Sequence, residues 1–485
     1  MAKPSIGLPS VQINFKTSAG SAITRSSRGK VALILNDDNY TDEDGVTFFS
    51  ISEASDIPSS GISAKNADLI KKTLAGSPAE IFAFLIPPKT YQAEREVTTE
   101  ETVATTTQVD SQVTVETTTS VMSDVEVESE VTVTDPDTGE TSTQMSTVTV
   151  QSEVTVPTTT TVTSSVTVET TTVVTGTTVS NVTVTATVTA VDAFKEIANT
   201  KVNYIAYPGG DPDGQQSLAS FASGQRKNRR KTVKAVVANY PADSYSVINF
   251  TTGQIKVDNP DYVEALEAAD GDATLVSEDI PRYRTYTAAE YTGRIAGILA
   301  GLSLDRSATY YTLPEIISCK TYDDADEAVN RGELILIDEH DGMGVKIGRG
   351  VNSLVNFSNE QGEDFRYIKI IEAIDLIQDD ITVNFRENYV GKVVNNFENR
   401  MLFVSMINNY LKRLVGPILD NSSSAVNRVD IDTEAVREWA AQHGKNVAGL
   451  SGAQLENISC GTHIFLKGNI TPVNAMEDLK INFVL

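Results

Sequence analysis

The sequence predicts an α/β (α+β) multidomain body with terminal β-strand arms and an inserted all-β domain rich in threonine and valine. Three observations carry this class. Strand-like and helix-like signals alternate from Lys30 onward, which is the pattern of an α/β layer. The stretch from 94 to 192 interrupts that alternation with a different composition. At both ends apolar and polar residues alternate: Val11, Ile13 and Phe15 follow a Pro9-Ser10 turn signal, and Leu479, Ile481 and Phe483 close the chain. That period of two is the mark of a strand.

Taken in order, Val31 to Leu35 reads as a buried strand, Asn66 to Leu74 as a helix stopped at Gly76, and Ile81 to Ile86 as a strand ended by Pro87-Pro88. The pattern resumes with a helix over Val191 to Ala198, a strand over Val202 to Tyr207, a helix over Gln215 to Arg230 and a strand over Val233 to Ala238. Residues 30–93 and 193–285 are therefore assigned to one interrupted α/β domain. Val247 to Phe250 and Ile255 to Val257 read as a hairpin around Thr251-Thr252-Gly253-Gln254. Asn259, Pro260 and Gly271 bound a helix, and Thr287 with Glu290 makes a capping box for the next, which runs to Leu302. Gly293, Gly297 and Gly301 recur at every fourth position of that helix, so another backbone is expected to pass close to it.

Over 286–477 a second body domain is expected. It holds a helix from Asp323 to Arg331, strands over Glu333 to Ile337 and Val345 to Ile347, a strand around Tyr367 to Ile371 and a helix starting near Glu372. An amphipathic helix follows, its apolar positions being Phe397, Met401, Leu402, Val404, Ile407, Leu411 and Leu414. Two short capped helices come next. Residues 1–29 and 478–485 are left as N-terminal and C-terminal arms.

The insertion contains no lysine, tryptophan, tyrosine or phenylalanine from Glu94 to Val191, and a Ser-x-Val-Thr-Val unit starts at Ser111, Ser129, Ser146, Ser152, Ser164 and Ser180. Valine alternating with threonine or glutamate fits half-buried strands, and Asp135-Pro136-Asp137-Thr138-Gly139 fits a hairpin turn. Without aromatic residues its core would be thin, so low-complexity disorder is the competing reading. Sixteen acidic residues and one basic residue, Arg95, lie between Glu94 and Asp192, a net of −15 out of the −26 of the whole chain. Self-repulsion of that kind favours an outward-facing module.

The 485 residues exceed what one core accommodates, so several domains are expected. The acidic balance argues against nucleic acid or an anionic membrane as the main partner. No leader-like apolar segment and no run near the roughly 18 apolar residues of a membrane span is present, so synthesis in the cytoplasm is expected. Two cysteines, Cys319 and Cys460, form neither a disulfide framework nor a metal motif.

No constellation of an enzyme is complete, and no cofactor or metal is expected. His340, among Asp338, Glu339 and Asp341, suits an acidic hairpin tip more than a metal site, and His443 before Gly444 suits a helix C-terminus. His463 beside Cys460 lacks any nucleophile signature. The glycines from Gly342 to Gly350 surround a strand instead of opening a helix, which excludes a phosphate loop. The cluster Arg226, Lys227, Arg229, Arg230, Lys231 and Lys234 is read as a helix C-terminus favoured by the dipole, or as a contact for an acidic protein.

The segments Glu387 to Lys392, Val429 to Asp432, Phe465 to Ile470 and Asn474 to Leu479 are similar to those of the contractile tail sheath family of phages and phage-tail-like bacteriocins of Gram-positive bacteria. So are Arg28 to Ile34, Leu304 to Thr309 and Val345 to Leu354, in the same order; the insertion has no counterpart. The resemblance implies a structural subunit that polymerises helically with copies of itself around a tail tube protein, between a baseplate and a tail terminator, and contracts to drive the tube through a target envelope. It makes residues 286–477 the sheath core domain. It implies exchange of terminal strands between subunits through Val11, Ile13, Phe15, Leu479, Ile481 and Phe483. Lys412 and Arg413 are candidates for the tube-facing surface, and the tail-like particle or virion is the expected location. A repeat-bearing surface adhesin or stalk is the alternative that the insertion suggests.

Overall fold

A computed structural model of the chain describes residues 28–109, 113–134, 141–162 and 166–484. They fall into two units, one built from 28–31, 72–81 and 202–484 and the other from 32–71 and 82–201. The expected N-terminal arm, with Val11, Ile13 and Phe15, lies outside the described residues.

The first unit contains four parallel strands in the order Glu333–Leu334, Val247–Phe250, Lys234–Ala238, Tyr204–Ala206. Every residue of Lys234–Ala238 is buried, as expected of a parallel strand covered on both faces. Helix Pro212–Arg229 makes the crossover between Tyr204–Ala206 and Lys234–Ala238, and helix Ala288–Gly301 rests on the same strands. Asp211 caps the first of these at Gly214 N–H, and Arg230 ends it in the left-handed region at φ 54°. Thr287 and Glu290 cap the second reciprocally. The glycine spacing has the expected meaning: a Cβ on Gly297 would stand 2.1 Å from the Thr73 carbonyl oxygen, and one on Gly301 2.1 Å from that of Gly76.

Further along, helices Ile368–Asn388 and Phe397–Leu414 share a core of Leu376, Phe403, Ile407, Tyr410 and Leu411. An antiparallel ladder of Arg428–Ile431 with Leu466–Asn469 follows, with helices Thr433–Gln442 and Gly452–Glu456 around Ile431, Val436, Leu455 and Cys460.

Four expectations change. Val247–Phe250 and Ile255–Asp258 are strands but not a hairpin: the first joins the parallel strands, and the second pairs antiparallel with Tyr283–Tyr286. Full burial of the first demands neighbours on both edges, and Gln254, at φ 52°, turns the chain into the next sheet. The apolar run after Tyr367 is helical from Ile368, because it is buried all round and loses the amphipathic signal. Met401 and Leu402 are exposed, while Phe403 and Tyr410 fill the helix face that packs. The C-terminal strand is not formed within the single chain: residues 474–484 belong to no ladder, since a strand exists only against an edge.

In the second unit the strand segment 82–86 lies between 32–36 and Thr47–Ile51. Helix Ala190–Ile197 is capped by Thr189 and Asp192. The insertion forms long strands, as expected, but in two-stranded ribbons: Thr90–Val109 pairs antiparallel with Val166–Thr185, and Val113–Thr134 with Thr141–Val162. Neither ribbon has a third strand among the described residues. The expected turn Asp135 to Gly139 lies outside the described residues, but Thr134 and Thr141 on either side of it are paired. Asp42 holds the ribbon root, accepting hydrogen bonds from Thr187 N–H, Val188 N–H and the Tyr91 hydroxyl at 2.9, 2.9 and 3.2 Å.

Gly297→Ala is expected to destabilise the fold by about 1–3 kcal/mol or more, because a methyl group enters space already held by the Thr73 carbonyl. Gly271→Ala, with no atom near its Cβ position but φ at 84°, should cost only about 1 kcal/mol. Denaturant midpoints of the two variants measure the difference.

Candidate assembly interface

Helix Ile368–Asn388 carries Glu372, Asp375 and Asp379 on one face, at spacings of three and four. Asp375 is fully buried and takes both guanidinium nitrogens of Arg226, at 2.6 and 2.7 Å, together with Lys234 Nζ at 2.7 Å. Glu372 accepts from the Tyr204 hydroxyl, from Lys234 Nζ at 2.8 Å and from the Arg28 guanidinium. Asp379 accepts from the Thr232 hydroxyl at 2.8 Å. Burial alone would push the Glu372 carboxyl up. The charges of Lys234 and Arg28, with hydrogen bonds from Lys234 and Tyr204, override it and hold the group at about 2. Burial followed by the Glu372 charge pushes the Tyr204 phenol well above its usual range.

The first described residue and the root of the C-terminal tail both meet this helix. Arg28, the first described residue, is held by Glu372. One turn away Lys369 donates to the Val473 carbonyl at 3.0 Å. Four residues on, Glu477 accepts from the Ser307 and Thr309 hydroxyls at 2.8 Å each, and Arg349 reaches Asp478 at 2.6 Å. Three of the segments quoted for the resemblance, Leu304 to Thr309, Val345 to Leu354 and Asn474 to Leu479, thus converge at the root of the C-terminal tail. Beyond it the apolar side chains have no cover: Leu479 is 84%, Ile481 56% and Phe483 86% exposed.

The Arg428–Ile431 ladder supplies a complementary feature. Asn408 binds both the N–H and the C=O of Val429 at 2.8 Å, which closes that edge. On the other strand the register turns the backbone groups of Leu466, Gly468 and Ile470 away from the ladder. No partner meets them among the described residues, so one edge is closed and the other open.

The remaining sequence candidates are accounted for individually. Lys412 and Arg413 are exposed in the last turn of helix Phe397–Leu414. Arg226 and Lys234 of the basic cluster are internal ion-pair partners, which neither reading anticipated. His340 is an exposed turn residue at φ 55° whose N–H bonds Asp338, and His443 ends its helix stacked on Trp439. The Cys460 thiol is buried, pushed up by that burial, and bonds the Ile458 carbonyl at 3.8 Å. Among the described residues no acidic, histidine and cysteine group could hold a metal, and no helix is long and apolar enough to cross a membrane. The acidic row Glu372, Asp375, Asp379 escaped sequence reasoning, although three acids on one face of an isoleucine-rich helix are its visible signal.

Asp375→Ala is expected to lower unfolding free energy by about 3–5 kcal/mol, because it strands two buried cations. Equilibrium denaturation measures this loss. Glu372 has a folded-state pKa below its unfolded value, so its stabilisation is complete above about pH 4.5 and disappears as pH falls toward about 2. The difference in stability between the native chain and Glu372→Gln should therefore shrink across that window and stay flat from pH 5 to 7.

A family model described as phage tail sheath C-terminal domain matches residues 360–485, which hold the helix, the ladder and the tail just described. A tail sheath protein of Clostridium phage phiCD119 is 30% identical over 292 residues, covering 60% of this chain and 74% of that protein. Among solved structures, the sheath tail protein of Desulfitobacterium hafniense aligns with a TM-score of 0.52 at 20% identity, over 88% of this chain and 94% of the other. The contracted-state helical sheath of the anti-feeding prophage aligns with a TM-score of 0.56 at 9% identity, over 99% of both chains. The structures share the fold, and the extent of the match to the phage protein makes this chain a member of the tail sheath protein family.

Proposed function

We propose that the chain is the structural subunit of a contractile tail sheath, which polymerises helically around a tail tube and contracts to drive the tube through a target cell envelope. The observation that carries this reading is an uncovered apolar tail on a chain that also presents an open strand edge, Leu466 to Ile470. A tail of one subunit laid along such an edge in another adds a strand, filling backbone groups that are otherwise unpaired. The arms are residues 1–29 and 478–485, with Val11, Ile13 and Phe15 acting at one end and Leu479, Ile481 and Phe483 at the other.

One added strand gains about 5 kcal/mol from about five hydrogen bonds and about 5–9 from three apolar side chains. Ordering about six residues opposes this with about 6–12 kcal/mol. Each arm therefore binds weakly, and several arms per subunit bind strongly through effective concentration. Contraction is rigid-body repacking of bodies that stay linked by their arms. The other partners in this reading are a tail tube protein, which Lys412 and Arg413 face, a baseplate and a tail terminator. The subunit is made in the bacterial cytoplasm and resides in a virion or tail-like particle. No catalysis is involved.

Negative-stain electron microscopy of the purified chain should show hollow helical tubes, and Phe483→Asp should abolish them while leaving a folded monomer with an unchanged melting temperature. Tubes of normal length from Phe483→Asp would remove arm exchange from the reading.

A further inference from the structure

The ribbon of Val113–Thr134 with Thr141–Val162 separates its residue types by face. In an antiparallel pair, residues directly opposite share a face and successive residues alternate. The register of Val113–Thr134 against Thr141–Val162 is unbroken. It places all twelve valines of the two strands at positions of one face, as in Val121↔Val154, Val125↔Val150 and Val127↔Val148. The rest of that face is threonine, serine and one glutamine, without a charge. Every charge falls on the opposite face: Glu116, Asp124, Glu126, Glu128, Glu130 and Glu153.

A ribbon of two strands without a second layer is marginal by itself in water. The valine face needs one. An acidic partner surface is not needed and a basic one would meet the other face, so the cover must be apolar and neutral. We infer that the cover is a second copy of this ribbon from another chain, valine face to valine face, with both acidic faces turned to solvent. No charge would be buried in such a pair, whereas stacking through the opposite faces would oppose six carboxylates to six. The size also fits: 22 residues at about 3.3 Å and two strands at about 5 Å each give roughly 700 Å² per copy, or roughly 1,400 Å² per pair, a standard stable interface. The inference takes from the sheath reading only the close spacing of copies that a lattice supplies. On an assembled particle, paired ribbons would tie neighbouring subunits together outside the arm contacts.

The test uses the full chain carrying Phe483→Asp, in which arm-driven growth is removed, and sedimentation across a range of concentrations. A reversible dimer is expected. Val127→Glu with Val148→Glu, on the valine face, should weaken it at least tenfold. Thr147→Glu with Thr149→Glu, on the acidic face, should leave it within threefold. Amide hydrogen exchange over 113–134 and 141–162 should show protection that rises with concentration in the first chain and not in the valine-face variant. A monomer at all concentrations overturns the inference, and so does protection that is independent of concentration, which would mean that the chain covers its own ribbon. If Phe483→Asp still forms long polymers, the exchange comparison of the two double variants in those polymers decides it, and equal protection in both overturns it. Tubes from the native chain without ribbon dimers would leave the sheath reading standing. Ribbon dimers from a native chain that forms no tubes would do the reverse.

Discussion

Three carboxylates on one face of helix Ile368–Asn388 hold together elements that are far apart in sequence. Asp375 receives a cation from the end of the crossover helix and another from the central strand; Glu372 receives that same strand lysine, a buried tyrosine and the first described arginine. Buried charges of this kind add little net stability over apolar residues, but they tolerate few alternatives, since any rearrangement leaves an ion unpaired. Their effect is to specify one placement of the helix. The first described residue and the root of the C-terminal tail both lie beside it, Arg28 through Glu372 and Val473 through Lys369.

The C-terminal region treats its two sheet edges differently. Asn408 satisfies Val429, so nothing can add there without breaking two hydrogen bonds. The opposite edge is left open, and the tail leaves the body with its apolar residues uncovered. A soluble protein that functioned alone would ordinarily protect both features. The Glu477 contacts with Ser307 and Thr309 fix where the tail departs without restricting its last residues.

The insertion follows a different logic. Its composition lacks the aromatic mass that makes a compact core, and it forms ribbons, with valines and charges at opposite-face positions in the register of Val113–Thr134 with Thr141–Val162. Asp42 secures only the root. The ribbon thus adds a long surface to one unit of the fold while leaving the strand order of the body intact.

Much of this was legible in the sequence, because it depends on local physics. Asn259 and Pro260, and Thr287 and Glu290, mark helix starts through bonds made within one turn. Period-two alternation declared the ribbon strands, and the spacing of Gly293, Gly297 and Gly301 announced a close neighbour without naming it. Tertiary structure decided what depends on distant partners. That neighbour is the Thr73 to Ser77 turn; Val247–Phe250 belongs to the parallel strands and not to a hairpin; Arg226 and Lys234 face Asp375 and not an outside partner. The tail shows the division most clearly. Alternation at Leu479, Ile481 and Phe483 states a readiness to be a strand, but a strand needs hydrogen-bonding partners across a ladder, and among the described residues that tail has none.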